Sequence, residues 1–131
     1  MIFETKVQYT NEDKLVKEQN VVEGYDLFAE VEARMCEIFQ GYKDLDVTAI
    51  KRSKIREIAN KRESPDDLIW VAELMDIFTD DDGVENQLKY KILLFAKTFD
   101  GAKAFITEYM EQGYQMQLVS LKLTNFIEVY Q

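Results

Sequence analysis

The chain has 131 residues, a hydrophobic fraction of 47% and a single proline, which is typical of one folded domain and excludes disordered or collagen-like chains. Its 16 Lys and Arg against 25 Asp and Glu give a net charge of −9, which argues against a generally basic nucleic-acid coat. The absence of histidine excludes serine–histidine and cysteine–histidine catalysis and imidazole zinc ligation. We therefore expect a single domain over residues 1–131 that is not an enzyme and uses no cofactor or metal.

The only cysteine, Cys36, has no partner in the chain for a disulfide, so we expect a reduced, cytoplasmic protein. We expect its side chain to be a small, partly buried part of a helix, because no neighbouring base would generate a thiolate. Apolar residues nowhere continue for the ~18 positions that a membrane span requires, and the first residues lack the pattern of a signal peptide.

Two strands are predicted at the start of the chain. Apolar residues alternate with polar ones over residues 3–9, which is the period of a half-buried strand. The polar residues 11–13 predict a turn into a second strand over residues 15–23, which is weakly apolar and is expected at a sheet edge.

A helix and a long strand follow. Apolar residues recur at helical steps after Asp26, a good N-cap, and predict a helix over residues 26–40. Alternation returns over residues 47–58, which we interpret as one unusually long strand. A polar connection containing Pro65 then separates the two halves of the chain.

The second half repeats this order. Residues 68–78 and 87–97 predict a hairpin around the acidic turn 80–83, residues 99–112 predict a helix capped by Thr98 or Asp100, and residues 116–130 predict a last long strand. We favour this hairpin turn over a calcium loop, because the segment lacks EF-hand ligand spacing.

The fold class expected from this order is α+β, with two strand-strand-helix-strand units and helices packed on antiparallel sheet. The halves 1–62 and 66–131 superpose at an offset of 71, which places Phe28 on Phe99 and Lys51 on Lys122. An internal duplication with pseudo-twofold symmetry would explain this match. The alternative is that any two such units share the spacing, because each must bury one face.

Three stretches carry a resemblance to a known family: Ile2 to Tyr9, the run from Val47 to Ile58, and Trp70 opening a strand before an acidic turn. In these the chain resembles an uncharacterised domain-of-unknown-function family of Bacteroidetes and their phages. The resemblance implies a small cytoplasmic α+β protein encoded by a phage or mobile element, located in the host cytoplasm in that case. It implies no catalytic or binding residue.

Charge is concentrated in residues 51–62, here called the basic segment. These residues carry a net charge of +5, and the rest of the chain carries −14. On one continuous strand, Arg52, Lys54 and Arg56 would project from a single face. The alternative is a solvated face whose cations pair with nearby carboxylates. The candidate ligand-binding residues of the segment are Lys51, Arg52, Lys54, Arg56, Lys61 and Arg62.

Two functions compete on these observations. The first is a non-enzymatic binding protein whose basic strand face binds single-stranded nucleic acid or a nucleotide, with contacts through Arg52, Lys54 and Arg56 rather than through Lys14, Lys17, Lys89 or Lys91. The ring candidates for base stacking are Tyr9, Tyr90, Tyr114 and Tyr130. The second is an acidic protein-interaction factor, an inhibitor of a host protein or an assembly component, that binds no nucleic acid. A homodimer is expected, because long strands leave uncovered edges.

Overall fold

A computed structural model describes residues 1–113 and 115–131. The chain is α+β, as predicted, with eight strands in two sheets and one helix packed on each sheet. In chain order the elements are β1 (Ile2–Asn11), β2 (Lys14–Glu23), α1 (Phe28–Ile38), β3 (Lys43–Arg52), β4 (Ile55–Ile58), β5 (Leu68–Thr79), β6 (Glu85–Ala96), α2 (Phe99–Met110), β7 (Met116–Leu123) and β8 (Phe126–Tyr130). Among the described residues, no helix is long and apolar enough to cross a membrane.

The described chain divides into two compact units. The first contains residues 1–53 and 125–131 and has the sheet order β3-β1-β2-β8, whereas the second contains residues 54–124 and has the order β4-β6-β5-β7. Each sheet therefore takes its fourth strand from outside its own continuous run of chain. This short strand is β8 in the first unit and β4 in the second, and each pairs parallel to its neighbour.

Turn chemistry closes the two hairpins. The turn between β1 and β2 consists of Glu12 and Asp13, both at positive φ, which matches the twist of the flanking strands. In the longer turn between β5 and β6, the Asp80 carboxylate accepts hydrogen bonds from the N–H groups of Asp82 and Val84, each at 2.9 Å. The predicted acidic hairpin turn is therefore present, and Asp80 serves as its internal acceptor.

Each helix buries one apolar stripe on its own sheet. Val31 and Met35 of α1 are fully buried in one core cluster, and Ala102 and Ile106 of α2 are fully buried in the other. The helix N-termini differ in their caps. Thr98 accepts a hydrogen bond from Gly101 N–H at 3.1 Å, as predicted for α2. The N-cap of α1 is Leu27 rather than Asp26.

The caps differ for a physical reason. Leu27 has no polar side chain, but its N–H donates to the Glu30 carboxylate in the first turn of α1 at 3.2 Å. A carboxylate in the first turn satisfies an exposed N–H and interacts favourably with the helix dipole. The side chain of Asp26 is therefore not needed to start the helix.

The two long strands were predicted wrongly, because each is broken into two. The segment 47–58 contains the end of β3 and all of β4, and the segment 116–130 contains β7 and β8. At the breaks, Ser53 N–H donates to the Ile2 carbonyl at 2.9 Å and Thr124 N–H donates to the Ile69 carbonyl at 3.0 Å. The chain leaves its sheet after these bonds, while the hydrophobic alternation continues into the next strand.

The second predicted strand is not an edge strand. β2 lies between β1 and β8 in the first sheet. Asn20 of β2 helps to hold β8, because its side-chain oxygen accepts from Glu128 N–H at 3.1 Å. In the second unit, the Asn60 side chain exchanges two hydrogen bonds with the main chain of Phe95 on β6. Both parallel strands are thus anchored by an asparagine side chain.

The same strand order recurs in both sheets. Each consists of the third, first and second strands of one half of the sequence, followed by the short last strand of the other half. This correspondence favours an internal duplication in which the two halves exchange their last strands. The duplication, with halves 1–62 and 66–131, stays a prediction.

Candidate nucleic-acid interface

The basic segment is divided between the two units. Lys51 and Arg52 end β3 in the first unit, whereas the remaining four cations belong to the second. Arg56 lies on β4 in the other sheet. The premise that Arg52, Lys54 and Arg56 share the face of one strand is therefore wrong, because the strand ends at Arg52.

In the first unit, Arg52 lies beside an exposed ring. Its guanidinium carbon is 5.8 Å from the centroid of Phe28, which opens α1 and is 46% exposed. The Phe28 ring in turn makes an edge contact with the buried Phe3, with 5.3 Å between centroids. Lys51 forms an exposed ion pair with Glu4 at 3.8 Å. An exposed charge and an exposed stacking surface are thus adjacent at the end of β3.

In the second unit, the guanidinium carbon of Arg56 lies 4.7 Å from the centroid of Tyr90 on β6. Arg56 is exposed and Tyr90 is half-buried. Burial, followed by the charge of Asp76, raises the pKa of Tyr90 above its ordinary value, although Arg56 opposes this shift. The ring is therefore neutral at physiological pH and presents its face to the cation.

The residue after Arg56 has a structural partner. The Glu57 carboxylate accepts a hydrogen bond from the hydroxyl of Tyr109 on α2. Burial and this carboxylate together raise the pKa of Tyr109, so its hydroxyl stays protonated and donates. The single acidic side chain of the basic segment is thus engaged with α2.

Arg62 is held by the loop that follows β4. Its guanidinium donates to the carbonyl of Asp67 and lies 5.0 Å from the centroid of Phe95. The Asp67 side chain accepts from the N–H groups of Glu63 at 2.8 Å and Ser64 at 3.1 Å. These bonds order the connection that contains Pro65, so Arg62 has a structural role in this loop.

Two other cations of the segment are more accessible. Lys54 and Lys61 are exposed, and within residues 1–113 and 115–131 neither side chain makes a hydrogen bond or an ion pair. The six candidates therefore fall into three kinds: Lys51 in an ion pair, three arginines against rings, and two lysines in solvent.

The ring candidates from the sequence have different fates. Tyr9 is only 5% exposed and its hydroxyl donates to Glu18 at 2.7 Å, so it cannot stack on a base. Tyr130 is half-buried, with its ring 6.4 Å from that of Phe39. Tyr90 lies beside Arg56, and Tyr114 lies outside the described residues.

Sequence reasoning missed Phe28 and Phe95 as the rings beside Arg52 and Arg62. Phe28 has the spacing of a core residue of α1, and nothing local to the sequence places the start of a helix beside the end of β3. Cys36 was also assigned wrongly, because it is exposed on α1. Its neighbour Met35 is the residue that occupies the buried stripe.

A family model described as a domain of unknown function, DUF4494, matches residues 1–131. The chain therefore belongs to this family, which confirms the resemblance to an uncharacterised domain family. No curated protein matches the chain. No solved structure matches it either.

Proposed function

We propose that the protein is a non-enzymatic binding protein for single-stranded nucleic acid, and that the cations of the basic segment contact the ligand. One observation supports this most directly: each exposed arginine of the segment, Arg52 and Arg56, lies over an aromatic ring. Single strands are bound by positive charge combined with aromatic stacking surfaces. Each unit supplies such a pair.

The chemistry of these pairs suits a single strand. A guanidinium over a ring has fewer orientations to lose on binding, and its outer N–H groups can still donate to a phosphate. Phe28 is 46% exposed, so part of its ring is available to a base beside Arg52. Lys54 and Lys61 would add phosphate contacts in the second unit. Arg62 and Lys51 would contribute less, since each already has a protein partner.

Fluorescence anisotropy with a labelled oligothymidylate tests this function. The triple variant Arg52→Gln/Lys54→Gln/Arg56→Gln should lose at least about tenfold in affinity at low salt, and the wild-type slope of log affinity against log salt should be about −2 for three contacts. The matched control Lys14→Gln/Lys43→Gln/Lys103→Gln removes the same charge from exposed positions elsewhere and should bind within about twofold of wild type.

Two results would overturn the proposal. One is that the wild-type protein fails to bind the oligonucleotide at low salt, where electrostatic attraction is least screened. The other is that both triple variants lose the same affinity, because the binding would then depend on net charge alone. Circular dichroism of each variant checks that the fold is retained.

A second function, binding of a basic protein partner, is favoured by residues 76–88, here called the acidic hairpin. This segment has five Asp and Glu and no Lys or Arg. The apolar Phe78, Val84 and Leu88 are 46%, 55% and 48% exposed, and the hairpin register places Phe78 and Leu88 on the same face. Exposed apolar side chains rimmed by charge are typical of protein interfaces.

The variant Phe78→Ser/Leu88→Ser tests this second function. It should abolish salt-sensitive co-purification of a basic protein from the native host while leaving oligonucleotide affinity unchanged. Co-purification that persists in this variant would exclude the acidic hairpin as the contact surface.

We also propose the finer attributes that accompany these functions: an origin in Bacteroidetes or their phages, residence in the cytoplasm, and a homodimer. The outermost strands of the two sheets are β3 and β8 in one and β4 and β7 in the other. An unpaired strand edge is a common surface for self-association. Light scattering that gives a monomer mass at high micromolar concentration would exclude the dimer.

A further inference from the structure

A polar groove of about 440 Å³ lies on the β1–β2 hairpin of the first unit. Its principal lining residues are Lys6 and Gln8 of β1, Lys17 and Gln19 of β2, and Thr48 of β3. The volume falls within the range of about 300–1,000 Å³ that is usual for small-ligand sites. None of the cations of the basic segment lines this groove.

The hairpin register brings the two lysines together. Lys6 is paired with Gln19, and Gln8 is paired with Lys17, so the two lysines are diagonal neighbours on one face of the hairpin. Diagonal Cβ atoms are about 7–8 Å apart or slightly closer. Two flexible lysine side chains at this separation can both reach one anionic group, with a carboxamide beside each of them.

Neither lysine is neutralised by a protein partner. Lys6 and Lys17 are both exposed, and over residues 1–113 and 115–131 neither forms an ion pair. Glu4, two residues before Lys6, is paired with Lys51 at 3.8 Å. Of the nearby acids, Asp46 of β3 is paired with Gln8 across the sheet and is the carboxylate that would oppose an anion.

The carboxylate of Glu18, which also lines the groove, is held by another residue. It accepts from the hydroxyl of Tyr9 at 2.7 Å, and the Tyr9 ring packs against Phe39 and Tyr42 with centroid separations of 5.5 and 4.2 Å. Alternation along β2 points the Glu18 side chain to the face opposite Lys17 and Gln19. Its charge is thereby directed away from the two lysines.

We propose that this groove binds the phosphate of a small phosphate monoester, such as a mononucleotide. Two ammonium groups and two carboxamide N–H₂ groups supply donors for the oxygens of a phosphate, whose charge of about −1.5 to −2 at pH 7 exceeds that of a carboxylate or a phosphodiester. The groove lining contains no aromatic residue, so it offers no stacking surface for a base. The phosphate is therefore the group recognised.

Isothermal titration with AMP, inorganic phosphate and adenosine tests the proposal and separates the sources of the anion. AMP and inorganic phosphate should bind and adenosine should not. Lys6→Gln/Lys17→Gln should weaken AMP binding at least about tenfold. The control Lys14→Gln/Lys43→Gln, which removes two exposed charges from the same sheet, should stay within about twofold of wild type.

A second measurement needs no variant. Acetylation of the wild-type lysines, followed by mass spectrometry, should show AMP protecting Lys6 and Lys17 and not Lys14 or Lys43. The proposal is overturned if neither AMP nor phosphate binds at low salt, if adenosine binds as well as AMP, or if protection falls on lysines outside the groove. These outcomes are independent of oligonucleotide binding by the basic segment, which the triple variant measures separately.

Discussion

The basic segment and the groove on the β1–β2 hairpin present positive charge in opposite ways. The segment has six cations within twelve consecutive residues, yet the fold divides them between two sheets and commits Lys51 and Arg62 to protein partners. The groove has only two cations, eleven positions apart in the chain, and the hairpin register makes them neighbours. Cations that are close in sequence need not form one site, whereas register alone can assemble one.

The largest expected effect concerns the core that supports the groove. Met35 of α1 is fully buried against the sheet that carries the groove. Met35→Ala should lower the free energy of unfolding by about 2–5 kcal/mol, since it leaves a cavity. Urea unfolding followed by circular dichroism measures this loss. AMP affinity should be unchanged where the variant is folded, and a loss below about 1 kcal/mol would show that the groove does not depend on this packing.

Within the basic segment, two single variants should behave in opposite ways. Arg62→Gln should lower the free energy of unfolding by about 1–3 kcal/mol, because it removes a charged hydrogen-bond donor from the Asp67 carbonyl and a cation from the Phe95 ring. Lys54→Gln should change it by less than about 0.5 kcal/mol, since this side chain is exposed.

Oligonucleotide affinity provides the other half of that test. Lys54→Gln should weaken binding and Arg62→Gln should have little effect on it. The reverse order, with a strong binding defect in Arg62→Gln and no loss of stability, would contradict the division of the segment into structural and ligand-facing cations.

Alkaline pH should destabilise the first unit through Tyr9. Burial and the neighbouring Glu18 raise the pKa of Tyr9 to about 12. Because the unfolded side chain loses its proton near its ordinary pKa of 10.0, the unfolded state is favoured as pH rises from about 10 to 12. Tyr9→Phe should reduce this loss. Thermal unfolding across that range should therefore fall less steeply in the variant, and equal slopes would exclude Tyr9 as a contributor.

The smallest effect tests the one carboxylate that opposes the anion in the groove. Asp46→Asn should raise AMP affinity about twofold at low salt, because a like charge is removed from the position opposite Gln8. Asp26→Asn is the matched control, since Asp26 is an exposed acid of the same unit. Equal changes in the two variants would indicate a general charge effect rather than a local one.

The sequence predicts local structure well and long-range placement poorly. Helical spacing located α1 and α2 to within two residues, because each helix buries a stripe that recurs at helical steps. The breaks after Arg52 and Leu123 were not predictable from alternation, because β4 and β8 continue the alternating pattern of the strands before them. That these short strands join the other sheet depends on pairing partners far away in the chain.

The candidate sites show the same limit. The cations of the basic segment were evident from charge alone, but Phe28 lies twenty-four residues before Arg52 and only the fold brings them together. Lys17 is flanked in sequence by Glu18 and was set aside for that reason. Alternation along β2, together with the hydrogen bond from Tyr9, directs that carboxylate to the opposite face. The pairing of Lys6 with Lys17 becomes visible once the hairpin register is known.

The account rests on two separate anion-binding regions, and an amide chemical-shift titration of one isotopically labelled sample tests this most directly. With AMP, the largest shifts should fall on Lys6, Gln8, Lys17 and Gln19. With oligothymidylate, they should fall on Phe28, Arg52, Lys54 and Arg56. If both ligands shift the same residues, or if AMP shifts only residues 51–62, the assignment of separate regions is contradicted.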